Sequence, residues 1–398
     1  MYEPRTQSES LAECYTAENI NFMWYNDNER NILQKSYVLR IRRYEMGKDS
    51  RYYAELRKDK LARITEIKKQ LPIYTHKFIE SCVRKYQINT ALAYAKDVLL
   101  FFEFLKVRNP RCRSLEIKDI SLEILDALNY EDINEFQEFM VLNESDSGHM
   151  VSNRTLARKM ATLRNFFGYM ADKEYIAENP TLKADKNQKY EENDIKRLDV
   201  DEAKRLIKAV EETKTSTKRS SARSKNTAKR DLAIVILLLN LGLRVSECAG
   251  LDLNDVNFED NTIRIVRKGG KEAILYINEK IRNTLRDYIK NERPLLAQSP
   301  KEEALFISLK NNRLSVRSIE DMLKKYGDGA KLTDRVHPHK LRRTFGTTLY
   351  NSSGDIYMVA DVLGHKDVNT TVKHYAAVDE EHRKSVANYD LFGDDKNE

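Results

Sequence analysis

Arg244, Lys268, His339, Arg342, His365 and Tyr375 follow one another through the C-terminal half of this 398-residue chain. Arg244 comes just after the apolar stretch Leu232–Leu241 and Gly242, which reads as a buried helix and its stop. An arginine at the edge of a buried helix needs a partner or an anion, and Glu247, three residues on, can supply the partner. In Val336–Thr344, Pro338 suits the first turn of a helix. That places His339 and Arg342 on one face beside the free N–H groups of a helix start, an arrangement suited to a phosphate. In the segment from Asp355 to His365, Ile356, Val359, Val362 and Leu363 form an apolar stripe, Gly364 ends the helix, and His365 stands just past it. Alone, such a histidine reads as a structural cap. Asn369-Thr-Thr is expected to cap a short helix carrying Tyr375, which by itself reads as amphipathic packing. Lys268 is expected at the tip of a two-stranded ribbon, where a lone lysine is ordinarily solvated.

Positioning these residues takes several elements. Residues 1–71 form a basic N-terminal extension with Arg40-Ile-Arg-Arg43 and Arg57-Lys-Asp-Lys60. Leu61, Ile64, Ile67 and Leu71 recur there at helical spacing, which fits a solvated helix face or a nucleic-acid contact. Residues 72–176 carry amphipathic helices over Thr90–Leu105, Asp132–Leu142 and from Ser152 onward, the last with Leu156, Met160, Leu163, Phe166, Phe167 and Met170 as its buried stripe. Residues 177–196 are polar, with Asn179-Pro180 near their start, and read as a linker. A further domain spans residues 197–398, opening with Leu198, Ala203, Leu206 and Ile207. Within it, Ser216–Arg230 is a Ser/Lys/Arg segment: a solvated loop, or a flexible arm in which Lys218, Arg219, Arg223 and Lys225 meet phosphates. Thr262–Arg267 alternates, Lys268-Gly-Gly-Lys271 turns, and Ala273–Ile277 returns as the second clear strand. Helices are expected from Glu279 to the end, so the chain is mainly α with a small antiparallel β-sheet.

Composition narrows the partners. Lys and Arg number 69 against 62 Asp and Glu, a net +7 concentrated in local clusters, which favours a polyanion over an acidic pocket. The 33% charged and 41% hydrophobic content excludes collagen-like and low-complexity classes. Cys14, Cys82, Cys112 and Cys248 are far apart with no Cys-x-x-Cys pair, which argues against a zinc ribbon or a disulfide framework. The apolar run Leu232–Leu239 is too short to span a bilayer, and MYEPRTQSES lacks the pattern of a secretory signal. A soluble, cytoplasmic protein without a membrane partner is expected.

Taken together, Arg244-Val-Ser-Glu247, Lys268 in a ribbon turn, His339-Lys-Leu-Arg342, Leu363-Gly-His365 and Tyr375 closely resemble the tyrosine recombinase (phage integrase) family over at least residues 72–390. The linker, the preceding helices and the basic insert are similar to those of its Xer-type members. The resemblance implies a helical SAM-like core-binding domain and a catalytic domain that clamp double-stranded DNA at a specific site in a C shape. It also implies a homotetramer on synapsed DNA, a Holliday-junction intermediate, and accessory proteins in some systems.

The same resemblance makes Arg244 and Arg342 the phosphate-binding forks, Tyr375 the nucleophile, Lys268 the general acid, His339 a base or proton relay, His365 a phosphate ligand and Glu247 an orienting residue. No metal or other cofactor is implied. The segment after Tyr375, with Val386, Tyr389, Leu391 and Phe392, would dock on a neighbouring protomer. Tyr375 lies ten residues after His365, one more than in Xer proteins, and the first ~55 residues have no counterpart there. Chromosome dimer resolution and mobile-element integration both fit. A catalytically silent DNA-binding regulator would break the residue set, and a type IB topoisomerase would lack the tail after the nucleophile.

Overall fold

The computed structural model describes residues 51–145, 152–185, 197–212, 227–267, 270–297, 299, 302–365 and 367–375. Its N-terminal part is helical: α1 (Arg51–Gln70), α2 (His76–Lys85), α3 (Ile88–Arg108), α4 (Leu122–Asp126), α5 (Tyr130–Ser145) and α6 (Asn153–Asp172). Helix α3 is apolar on most of its circumference and so becomes the centre of the bundle. Phe101, Phe102 and Phe104 of α3 are buried against Phe136 of α5 and Phe166 and Phe167 of α6. Phe101 meets Phe136 edge-to-face at 5.2 Å, and Phe167 at 5.5 Å. One charge is taken into this core. Asp97 accepts from both terminal nitrogens of Arg158 at 2.6 and 2.9 Å and from the Thr162 hydroxyl at 2.7 Å, which pins the register of α3 on α6. The Ser152 hydroxyl oxygen accepts the Thr155 N–H at the start of α6, as its sequence position suggests.

The stripe at 61–71 is neither purely solvated nor a free contact surface. Ile64, Ile67 and Leu71 are buried in the same core as α3, while Arg57, Lys58 and Arg63 stay exposed on α1. The first turn of α1 reaches the C-terminal part of the chain. The Arg313 guanidinium lies 4.5 Å over the Tyr52 ring, and Tyr53 packs so closely on Gly250 that an added Cβ there would overlap its hydroxyl. Burial, with Tyr52 and Glu247 nearby, pushes the Tyr53 hydroxyl up to about 12.

Downstream, Asn179 caps a short 3-10 turn, Pro180–Leu182. The C-terminal part contains α7 (Val200–Glu212), α8 (Ala228–Leu241), α9 (Val245–Ala249), β1 (Val256–Asn257), β2 (Thr262–Val266), β3 (Glu272–Tyr276), α10 (Glu279–Asn291), α11 (Arg293–Leu296), α12 (Val316–Gly329), α13 (Pro338–Ser353), α14 (Ile356–Leu363) and α15 (Val368–Tyr375). Its core forms around α8, where Ala233–Leu238 are all buried. The sheet is antiparallel in the order β1-β2-β3, with Ile263 opposite Leu275 and Ile265 opposite Ala273. Ile263 and Ile265 point into the core, as the alternation requires.

Three expectations are corrected. Strand β1 is additional, since two residues are too short to show alternation. Helices do not continue unbroken from Glu279: the buried run Ala304–Ile307 is a non-helical bend, with isolated bridges from Ala304 to Asp252 and from Ile307 to Arg313. The basic segment 216–230 does not stay a loop to its end. Ala228–Arg230 form the first turn of α8, whose Lys229 and Arg230 N–H groups donate to the Glu292 carboxylate. The buried Arg230 side chain binds Asp231 and the Ile307 carbonyl, so its charge is spent internally. Lys218, Arg219, Arg223 and Lys225 lie outside the described residues.

The contact of α1 with Gly250 is open to a double-mutant test. Gly250→Ala should cost about 1–3 kcal/mol by overpacking. In a Tyr53→Ala background most of that cost should disappear in urea unfolding, whereas additive losses would mean that the two residues do not touch.

Candidate active site

The site begins where α8 stops. Gly242 adopts φ +59°, and a Cβ there would overlap Phe345 and come within 2.8 Å of Leu363, so only glycine fits this turn. Two residues on, Arg244 opens α9. Its backbone N–H donates to Glu247 Oε2 at 2.8 Å and its guanidinium to Oε1 at 2.7 Å, with Glu247 buried. The expected Arg244–Glu247 pair is therefore present, and it uses only part of the guanidinium.

The remainder turns toward the end of α14. Arg244 Nη2 donates to the Gly364 carbonyl at 3.3 Å. Arg342, buried on α13, donates to the Leu363 carbonyl and to the Gly242 carbonyl. Arg267, at the end of β2, donates to the carbonyls of Val362 at 2.8 Å and Asp361 at 3.3 Å. Four consecutive carbonyls at a helix C-terminus, which lack full intrahelical partners and carry the negative dipole end, are thus taken by three guanidinia. Asp355 caps the other end of α14, accepting from the N–H groups of Tyr357 and Met358.

His365 follows Gly364, which ends the helix at φ +64°. Its Nε2 lies 3.4 Å from Arg342 Nη2, and its Nδ1 lies 2.8 Å from the Thr371 hydroxyl. Thr371 is fully buried on α15. Asn369-Thr-Thr is not the cap of this helix: Asp367 accepts the Asn369 N–H, and Thr371 is an interior residue that orients His365. The expectation failed because a helical Thr has no sequence mark separating a cap from a buried hydroxyl. Arg267 was missed as well, since its neighbours come from a segment almost a hundred residues away.

His339 stands in the first turn of α13, as Pro338 predicts, and with Arg244 and Arg342 it lines a cleft of about 560 Å³. Ser246, Glu320, Arg335 and His337 add to its polar wall. Three arginines, two histidines and the start of a helix against one carboxylate make the cleft a place for an anion. Arg244, His339, Arg342 and His365 are thus brought together, with Glu247 beneath Arg244. Tyr375 is the last residue of α15. Lys268 lies outside the described residues.

Comparisons with known proteins identify the family. Residues 196–382 match the phage integrase family, and residues 81–174 match the phage integrase N-terminal SAM-like domain. The chain is 30% identical over 317 residues to the tyrosine recombinase XerC of Caldanaerobacter subterraneus, covering 77% of this chain and 83% of the relative. It is 31% identical over 351 residues to the tyrosine recombinase XerS of Streptococcus mutans, covering 82% of this chain and 98% of the relative. The fold is similar to that of the XerH site-specific recombinase bound to a palindromic difH substrate, with TM-score 0.57, 21% identity and coverage of 76% and 79% of the two chains. A lambda integrase dimer on a core site has TM-score 0.52 at 14% identity, over 75% of this chain and 95% of that one. The protein belongs to the phage integrase family of tyrosine recombinases, enzymes that cut and rejoin DNA. Its similarity to Xer recombinases extends nearly the full length of the streptococcal relative.

His337 offers a pH test of how α13 is held. Its Nδ1 accepts the Lys340 N–H at 3.3 Å, a bond that protonation would destroy. Burial, followed by Arg343, Lys340 and Arg335, lowers its pKa, while Glu320 acts in the opposite sense. A lowered folded-state value means that the unfolded chain takes up the proton first, near about pH 6.5. Stability from this group is full above that pH and is lost as pH falls below it. His337→Asn keeps a capping acceptor without titrating, so its Tm should fall less steeply than wild type from about pH 7 to about pH 5. Parallel curves would remove His337 as a titrating cap.

Proposed function

We propose that this protein is an Xer-type site-specific recombinase that acts on double-stranded DNA in the cytoplasm as a homotetramer on two synapsed sites. The observation that carries the reading is the convergence of Arg244, Arg342 and His339 on one cationic cleft, with His365 placed against Arg342. In-line phosphoryl transfer depends on holding the phosphate and neutralising its equatorial oxygens. Arg244 and Arg342 do this with permanently charged planar forks, and His365 adds a directed hydrogen bond.

The Tyr375 hydroxyl oxygen attacks phosphorus, forming a 3′-phosphotyrosyl bond as the bond to the 5′-oxygen breaks. His339 receives the tyrosine proton, and Lys268 gives a proton to the leaving 5′-oxygen. The phosphodiester energy is retained in the protein–DNA link, so the free 5′-hydroxyl of a partner strand can reverse the step. Two such exchanges pass through a Holliday junction. Resolution of chromosome dimers is supported by the extent of similarity to Xer recombinases. The ten-residue interval from His365 to Tyr375 favours the second reading, a phage or transposon integrase. The segment following Tyr375, the arm with Lys218, Arg219, Arg223 and Lys225, and any accessory protein belong to this proposal as the docking and DNA-contacting parts.

A nicked suicide duplex, built on the sequence that the protein selects from a random library, tests the chemistry. The wild type should give an SDS-resistant protein–DNA adduct. Tyr375→Phe should bind the duplex within about twofold of wild type and give no adduct, because the nucleophilic oxygen is missing. Adduct formation by Tyr375→Phe would place the nucleophile elsewhere. Tight binding without any wild-type adduct would make the protein a silent DNA-binding regulator.

A further inference from the structure

We propose that Arg267 is a positioning residue for the recombination reaction: it ties the end of β2, and with it the residue that precedes Lys268 in sequence, to the C-terminal carbonyls of α14. This deepens the reading above and rests on Lys268 as the general acid.

The observations concern one side chain and its own backbone. β2 ends at Val266 and β3 starts at Glu272, so the turn between them must close on Arg267. It does so through the backbone. The Arg267 N–H donates to the Lys271 carbonyl at 2.7 Å, and the Arg267 carbonyl accepts the Gly270 N–H at 3.1 Å, with Gly270 at φ +82°. Its side chain leaves the ribbon altogether and docks on α14, donating to the Asp361 and Val362 carbonyls. The side chain packs against Gly364, where any Cβ would overlap the guanidinium. The residue before Lys268 is thus fixed at both ends: the backbone to the turn, the side chain to the helix end that also receives Arg342, Arg244 and His365.

Stability alone is a poor reason for this arrangement. The Nε of Arg267 is shielded from solvent and has no hydrogen-bond partner among the described residues. Burial, reinforced by Arg244, works against the charged form, while Glu247 and Asp361 support it. A cation at a helix C-terminus is worth little when it must be half-buried with a donor unsatisfied. Its distinctive effect is geometric. A proton donor on a ribbon gains its rate from arriving at the leaving oxygen in register, and a displacement of about 1 Å can cost roughly 10²-fold.

The test uses the full chain and the same suicide duplex in two versions, one with the ordinary 5′-bridging oxygen and one with sulfur, whose thiolate leaves without a proton. Lys268→Ala, Arg267→Ala, Arg267→Lys and Arg267→Met are compared. The methionine fills space without charge, and the lysine retains a cation for a carbonyl. Arg267→Ala and Arg267→Met should bind the duplex like wild type and cleave the oxygen substrate about 10-fold to 10²-fold more slowly. On the sulfur substrate they should return to within about threefold of wild type, with Arg267→Lys intermediate on oxygen. The ratio of sulfur to oxygen rates does not depend on the fraction of folded enzyme, so partial unfolding of one variant does not imitate the effect. Rescue of Lys268→Ala without rescue of the Arg267 variants would overturn the proposal and leave the general acid in place. Failure of sulfur to rescue Lys268→Ala would remove the general-acid assignment, and the proposal with it. Unchanged cleavage of the oxygen substrate by Arg267→Ala would also overturn it.

Discussion

Helix α14 ends in carbonyls that its own backbone satisfies only in part, and the C-terminal part of the chain is arranged around them. Arg267, Arg342 and Arg244 reach this short stretch from a strand, a helix and a turn distant in sequence, and bind Asp361, Val362, Leu363 and Gly364 in that order. Each contact joins a cation to the negative end of a helix dipole, a favourable placement that supplements the single backbone bond at Asp361 and satisfies the carbonyls beyond it. Guanidinium has five N–H donors in a fixed plane. Those spent on carbonyls fix the plane, and those left over point in directions the protein has already chosen. A phosphate entering the cleft meets donors that need not reorganise, the condition under which electrostatic stabilisation is most effective.

This arrangement constrains the backbone around it. Gly364 must lack a side chain because Arg267 occupies the space, and Gly242 must lack one because Phe345 and Leu363 do. Arg342 needs the Gly242 carbonyl, so the break that ends α8 is also half of the cradle for Arg342. Glu247 offsets one of the three positive charges and fixes Arg244 from below. Three cations gathered at one helix end repel one another, and Glu247 and Asp361 offset that repulsion only in part. The N-terminal helices contribute through α1: one end lies in the Phe101–Phe136 core, while its Tyr52 and Tyr53 sit on Arg313 and Gly250, immediately after the helix that carries Glu247.

How much of this was legible in the sequence depends on whether the signal is local. Gly242, Gly364, Pro338 and Ser152 act on their own turns, and each marked its helix end correctly. The apolar stripe of α6 and the alternation of β2 were equally readable, because burial enforces the period. The Arg244–Glu247 pair lies within one turn and was expected. What escaped is long-range. Arg267 follows a strand and looks like any ribbon-base cation until α14 is placed beside it. Ala304–Ile307 is a short apolar run, which periodicity cannot assign to strand or helix. Ile64, Ile67 and Leu71 showed the helical spacing of α1, yet nothing in the spacing told whether the face met solvent, a ligand or the core.

Thr371 connects the helix that carries Tyr375 to the rest of the site. It is buried one turn into α15, and its hydroxyl meets His365 Nδ1 while the opposite ring nitrogen faces Arg342. A hydroxyl can donate or accept, so this contact suits either tautomer, but it fixes the plane of the ring. Tyr375 follows Thr371 by four residues, slightly more than one helical turn. Any rotation or shift of α15 that moved Tyr375 would therefore also pull Thr371 from His365 and turn the imidazole away from Arg342. The position of α15 and the orientation of His365 beside Arg342 are thereby coupled through one buried hydroxyl. The same helix end that orients the arginines also determines where α15 can begin.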